Sequence, residues 1–286
     1  MEQKPWYQKE KLDPVFPFRL WETSMRGFKL HWHELLEIAY VRKGGLVISV
    51  EGLEYEATQG DLVIINSGSV HGYSRSGANT SIVLVQFGLE LFDQSLIDLR
   101  DRMFQRLVFE RKTIVTTEED GEIHSLLEGL VLDMRREFSD KTEGYRLAIK
   151  ACLYDLALIL LRRVPARQFS PAELNKRRHR NEILERIFSF VHSRFSQPIT
   201  LAEAAASANL SKFYFTRFFK EQTGQNFHTY LARVRVSHAE ELLAGSDVSI
   251  TEIAYTSGFA SLKTFNRLFR TYTGTSPTQY RRGSES

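Results

Sequence analysis

The C-terminal third of the chain carries one pattern twice. TLAEAAASANLSKFYFTRFFKEQTGQNFHTYL begins at Thr200, and SITEIAYTSGFASLKTFNRLFRTYTGTSPTQYR begins at Ser249. Glu203, Ala205 and Asn209 align with Glu252, Ala254 and Gly258. After a one-residue insertion, Ser211, Phe215, Phe219, Gly224 and Tyr230 align with Ser261, Phe265, Phe269, Gly274 and Tyr280. Each copy opens with the spacing of a capping box, Thr200–Glu203 and Ser249–Glu252, in which hydroxyl and carboxylate satisfy free N–H groups of a first turn. A short helix follows, then a turn at Asn209 or Gly258, two residue types that tolerate left-handed backbone. A second helix starts at a serine cap, Ser211 or Ser261. Two helices joined by so short a turn form a helix-turn-helix, and the sequence predicts two of them.

The second helix of each copy has two distinct faces. Phe215, Phe218 and Phe219 form one apolar stripe, and Phe265, Leu268 and Phe269 form the other. Across from these lie Phe213, Thr216, Arg217 and Lys220 in the first copy, and Lys263, Asn266, Arg267 and Arg270 in the second. Arg and Lys can pair with guanine edges in a DNA major groove, and Asn with adenine. The helix starts at Ser211–Lys212 and Ser261 offer backbone N–H groups to phosphate. Phe213 either meets a thymine methyl group or tucks into the core. Charge agrees: residues 176–286 carry 16 Lys and Arg against 9 Asp and Glu, while residues 1–175 carry 22 against 26. A basic half behind an acidic half points to a polyanion-binding module joined to something else.

That other part begins with β-signals. Between about 27 and 110, short Val- and Ile-rich runs such as GLVISVEG, GDLVIINSG and SIVLVQFG are punctuated by glycine, the pattern of a small barrel or sandwich. From about 120 the spacing turns helical, and the run from Ala151 to Leu161 is apolar almost all round. Such a helix is expected to be covered on two sides, one by the β-domain and the other by a second copy of the chain, the alternative being that both sides are buried within one chain. VPARQFSPAELNKRRHR, with two prolines, reads as a linker, and its KRRHR cluster as a solvated charge run at the mouth of a basic domain. The single Cys152 excludes an internal disulfide. The run Leu147–Leu161 is too short and too charged to span a bilayer, and the first residues lack the apolar region of a signal peptide, so a cytoplasmic location without membrane contact is expected.

HWHELLEIAYVRKGG places His31, His33 and Glu37 at odd positions, on one face of a strand. With His71 from a later strand they offer three nitrogens and a carboxylate, a set suited to Fe, Mn, Zn, Ni or Cu. Three roles are open: a metal site, a polar pocket for an organic ligand, or a structural remnant.

SGFASLKTFNRLFRTYTGTSPTQYRR resembles the second helix-turn-helix of the AraC/XylS transcriptional regulators, with Gly258, Phe259, Ser261, Phe265, Arg267, Phe269, Gly274, Ser276, Pro277, Tyr280 and Arg281 in register. The resemblance covers about residues 180–283 and implies seven helices, with a long helix near Asn226–Ala244 joining the two units. It also implies base contacts from Phe213, Thr216 and Arg217 in one unit and Leu262, Lys263, Asn266 and Arg267 in the other. One monomer then reads two major-groove segments roughly 34 Å apart. More loosely, His31, His33, Glu37 and Gly44, then Gly60, Gly68 and His71, resemble the two motifs of the cupin barrels, although Asn66 stands where cupins favour Pro and Arg75 where they favour Asn.

The expected architecture is α+β in two domains. Residues 1–165 form a cupin-like effector-binding and dimerisation domain, with the barrel at about 15–115 and helices at about 120–163; 166–179 form a linker; 180–286 form the DNA-binding domain. The expected function is transcriptional regulation by a homodimer on paired DNA half-sites. A small effector, a sugar or sugar derivative, binds at His31, His33, Glu37 and His71, and RNA polymerase is a partner if the protein activates. No cofactor or catalysis is expected. The alternatives are a cupin metalloenzyme fused to a DNA-binding domain, with the same four residues as ligands, and a regulator without an effector.

Overall fold

A computed structural model of the 286-residue chain describes residues 12–24, 30–93, 95–96, 99, 101–111 and 118–284. Two long antiparallel strands, β2 (Leu36–Val50) and β5 (His71–Phe87), form the frame of the N-terminal part. β1 (Phe18–Ser24) lies beyond β5. β3 (Leu53–Thr58) pairs with the second half of β2, β4 (Leu62–Ile65) with its first half, and β7 (Val108–Phe109) with β4. The β2–β5 register shifts between Val41 and Gly45. Such an irregularity bends a strand and changes which side chains face inward. Accordingly Ala39 and Val41 share a buried cluster with Leu46, Ile48 and Val50, opposite in parity, and with Val63, Tyr73, Ile82 and Leu84. The two halves of the sheet therefore face each other across a common interior.

The outer face of the sheet, with Leu36, Ile38, Ile64, Val83 and Val85, packs under two helices. These are α1 (Glu118–Asp140), which contributes Ile123, Leu127 and Val131, and α2 (Tyr145–Arg163), which contributes Ile149, Leu153, Leu156 and Leu160. One side of α2 is covered as expected. Leu147 and Leu158 lie on its other side, 75% and 36% exposed.

Residues 166–179 are not the linker that Pro165 and Pro171 predict. β8 (Ala166–Gln168) pairs with β6 (Arg102–Phe104), and α3 (Pro171–Arg194) begins at Pro171. Ser170 and Glu173 form a capping box, and Pro171 takes a first-turn position where a backbone N–H would have no helical partner. The residues that read as a break are a helix start.

α4 (Leu201–Ser207) and α5 (Lys212–Thr223) form one helix-turn-helix, and α7 (Ile250–Thr256) and α8 (Leu262–Thr273) the other. α6 (Phe227–Gly245) joins them, and α9 (Pro277–Ser284) closes the second. With α3 these make the seven helices expected. The Thr200–Glu203 capping box is complete; in the second copy Ser249 accepts from the Glu252 N–H. Both turns are left-handed, with φ 57° at Asn209 and 87° at Gly258. The first half of α6 (Phe227, Tyr230, Leu231, Val234) is buried with Phe215 and Phe219, the second half (Val236, Ala239, Leu243) with Phe265 and Phe269. The first of these cores also takes in Leu30, Trp32 and Val70 from the β-domain. Among the described residues no helix is long and apolar enough to cross a membrane.

Candidate DNA-reading helices and sensor site

The serine caps form as the sequence predicts. Ser211 accepts from the Tyr214 N–H and Ser261 from the Thr264 N–H. Helical spacing then buries Phe215, Phe218 and Phe219 in α5, and Phe265 and Phe269 in α8. The opposite faces carry exposed Lys212, Phe213, Thr216, Arg217 and Lys220, and exposed Lys263, Asn266, Arg267 and Arg270. Phe213 is 81% exposed, which removes the alternative of a core role. Ser261 and Leu262 are half-buried, and Leu262 packs against the second core. The Arg217 guanidinium stands 5.8 Å from the Tyr214 ring centroid and 3.6 Å from Glu221, contacts that hold a long side chain without covering its face.

The four residues of the cupin-like motif converge inside the β-domain. A short antiparallel bridge pairs His31 with His71, each N–H donating to the other's carbonyl at 2.8 Å. His33, Glu37 and His71 are buried, His31 half-buried, and one ligating atom from each lies within 4.8 Å of the others. The ring orientations follow from backbone contacts: Nδ1 of His33 faces the Leu35 carbonyl at 3.1 Å and Nδ1 of His71 faces the Ser69 carbonyl at 2.9 Å. Each Nδ1 thus meets a carbonyl acceptor, and each Nε2 faces the interior of the cluster. Tyr73 and Gln86 donate to Glu37, and Glu37 Oε2 lies 2.9 Å from His33 Nε2. Burial by itself would raise the Glu37 pKa, but His33 and His71 hold it well below the usual carboxylate range. Burial lowers His33 despite the opposing pull of Glu37, and burial with the Glu37 charge raises Tyr73 well above the usual phenol range. Beside this cluster, between the β-domain and α3, lies a cleft of about 600 Å³. Trp32, Glu34, Asp101, Arg177 and Asn181 are among its lining residues.

Two families match the chain in the same division. The AraC-like ligand binding domain matches residues 18–157, and a helix-turn-helix domain family matches residues 204–283. The chain belongs to the AraC family of transcriptional regulators. It is similar to the melibiose operon regulatory protein of Escherichia coli (strain K12), 24% identical over 89% of this chain and 84% of that protein. It is also similar to an uncharacterized HTH-type transcriptional regulator of Staphylococcus aureus (strain COL), 25% identical over 92% of this chain but spanning only 33% of that protein's length. Among solved structures, the C-terminal domain of AraT, a response regulator from Geobacillus stearothermophilus, is 34% identical over 35% of this chain and 84% of that one, with a TM-score of 0.34. ToxT from Vibrio cholerae is 15% identical over 93% and 96% of the two chains, with a TM-score of 0.45. The N-terminal domain of this AraC-family regulator is thus a ligand-binding domain and its C-terminal domain a DNA-binding one.

The cupin-like motif of this AraC-family chain implies a metal, and the donor set fits one. His71 Nε2 is buried without a hydrogen-bond partner. His33 Nε2 lies 2.9 Å from Glu37 Oε2 and 3.0 Å from the Gln86 amide nitrogen, within the same small cluster of donor atoms. His31, His33, Glu37 and His71 would hold the ion, and Tyr73, Gln86 and the two carbonyls would orient them. Their spacing suits donors around one ion and leaves no room for a sugar ring between them. Sequence reasoning missed Tyr73 and Gln86; Gln86 meets Glu37 only through the register of β2 and β5, which the sequence does not carry. Asn66, the departure from the cupin pattern, donates to the Phe104 carbonyl and accepts from its N–H, clamping β6 where cupins favour Pro. The KRRHR cluster, read as solvated, is divided. Arg177 donates to Ser69 and Arg180 pairs with Glu51, while Arg178 and His179 are exposed.

Proposed function

We propose that this regulator binds paired DNA half-sites as a homodimer through α5 and α8, and that a sugar or sugar derivative switches it from the cleft between the β-domain and α3. The observation that carries the DNA reading is the pair of capped helices whose Arg, Lys and Asn side chains stand exposed on one face while the aromatic face is buried. For the effector, the cleft is of a volume that suits a small ligand, with one aromatic and several polar walls. A similar protein is named for the melibiose operon. Leu147 and Leu158 on the open side of α2 support dimerisation through that helix, and the whole assembly works in the cytoplasm.

A thermal-shift screen against sugars and sugar phosphates tests the effector. A ligand at 100 times its dissociation constant adds about 2.7 kcal/mol to stability, and Asp101→Ala should abolish the shift. Silence across the screen, or a shift indifferent to Asp101→Ala, overturns the assignment to the cleft. For the dimer, Leu147→Glu with Leu158→Glu should halve the mass measured by light scattering.

A further inference from the structure

The residues that would hold the cation share their backbone segments with the contact between sensor and DNA reader. In the segment 30–33, His31 and His33 face the cluster, while Leu30 and Trp32 pack into the core of the first helix-turn-helix unit with Ile183, Leu184 and Phe188. The same alternation separates His71 from Val70, which is also in that core. Ser69 serves both sides: its carbonyl fixes the His71 ring, and its hydroxyl accepts from Arg177 of α3 at 2.9 Å. The Gly68 N–H donates to the His33 carbonyl, and the Gly68 carbonyl accepts from Asn181 of α3, both at 2.8 Å.

A second line leads to the recognition helix itself. Glu51 accepts from the Val70 N–H at 3.1 Å and pairs with Arg180 at 3.1 Å. The next residue, Gly52, lies backbone to backbone against Gly224, the left-handed C-cap of α5. A Cβ on Gly52 would stand 2.7 Å from the Gly224 nitrogen, and one on Gly224 would stand 2.3 Å from the Gly52 oxygen. The two glycines leave no slack between the β2–β3 turn and the end of the first reading helix.

We propose that His31, His33, Glu37 and His71 bind a first-row divalent transition cation, and that loading this site sets how firmly the sensor holds α3 and α5, and through them the affinity for DNA. The bound ion cross-links the 31–33 segment, β2 and the start of β5. It thereby fixes Ser69, Val70 and Glu51 against the reader. Without the ion that cross-link is absent, and the contact loosens. Histidine-rich sites favour ions late in the first-row series, so Zn²⁺, Ni²⁺ and Co²⁺ are the probes, with Mn²⁺ and Mg²⁺ as weak-binding controls.

The test uses the full chain, stripped with a chelator and reloaded with each ion. Elemental analysis should find one Zn²⁺ per chain. Hydrogen exchange should slow in α3 and α5 on loading, and the affinity for the operator should change by about fivefold or more. His71→Gln should lose both the ion and the effect. Ser69→Ala with Glu51→Gln keeps all four ligands and the Ser69 carbonyl; it should bind Zn²⁺ like the wild type but show a much smaller change in exchange and affinity. Failure of the wild type to retain any of these ions overturns the site. Retention with unchanged exchange, or an undiminished response in the double variant, overturns the coupling. Only the operator readout rests on the proposed regulatory role, so ion-dependent exchange without an operator effect would count against that role and leave the metal site intact.

Discussion

The two helix-turn-helix turns do the same work under different constraints, and exchanging their residues separates backbone conformation from packing. Asn209 and Gly258 are both left-handed. At Gly258, however, an added Cβ would stand 2.4 Å from the Phe195 carbonyl oxygen, 2.8 Å from Arg235 Nε and 2.9 Å from Ser196 Cα. That carbonyl is the acceptor for Arg235 at 2.8 Å, so α6 is tied to the end of α3 at the point where the side chain would intrude. Gly258→Asn copies the first unit into the second. Asn tolerates the positive φ, and the remaining penalty is steric. Overpacking against backbone costs about 1–3 kcal/mol, and displacing a charged hydrogen bond costs about 1.5–3 kcal/mol more. The sum, roughly 2.5–6 kcal/mol, should lower the melting temperature of the helical domain by about 10 °C or more. Gly258→Ala should be at least as damaging, because it adds a left-handed strain of about 1–2 kcal/mol. The reverse exchange, Asn209→Gly, should change stability by less than about 1 kcal/mol. Far-UV circular dichroism melts of the three variants decide the matter. If Gly258→Asn melted with the wild type, the close approach of the second turn to α3 would be wrong.

On DNA, Arg217→Ala and Arg267→Ala should each weaken operator binding by about 1–3 kcal/mol and relax one base preference; fluorescence anisotropy with a panel of single-base variants would show it. Phe213→Ala should alter operator binding while moving stability by less than about 0.5 kcal/mol, since the ring is already exposed; a large loss of stability would return Phe213 to the core. Acid should destabilise the sensor in two stages. His33 has a lowered folded pKa, so its contribution is lost as pH falls below the unfolded value near 6.5. Glu37, also lowered, contributes above its unfolded value near 4.5, and that contribution is lost as pH falls through its lower folded value. Melts of chelated protein between about pH 7 and 3 should therefore slope downward throughout, with Glu37→Gln flattening the lower part; a level profile refutes the buried cluster.

The helix-turn-helix pair was legible because its determinants are local. Caps, left-handed turn residues and the aromatic stripe all lie within one stretch of chain, and the structure uses each in place. α3 was misread although its signature, Ser170-Pro171-Ala172-Glu173, is equally local; proline punctuates a break and a first helical turn alike, and only Glu173 at the third position separates the two. The four-residue polar cluster could be found by spacing. Its neighbours Tyr73 and Gln86 could not, because a bent pair of strands with shifted register sets which residue meets Glu37. The pairing of Leu30, Trp32 and Val70 with α3 depends on contacts more than a hundred residues apart, for which a single sequence holds no signal.

α6 has one further consequence. Its 19 residues rise about 28 Å as one unbroken rod, and each end is rooted in a different core, with no loop between them. The protein thus carries a ruler. A regulator with a loose tether can follow its two recognition words when the gap between them drifts; reading through α5 and α8 as proposed, this one cannot, and an inserted half-turn of duplex would put one word on the far side of the helix. Binding sites in a genome should therefore tolerate changes in the letters of each word far better than a change in the number of letters between them.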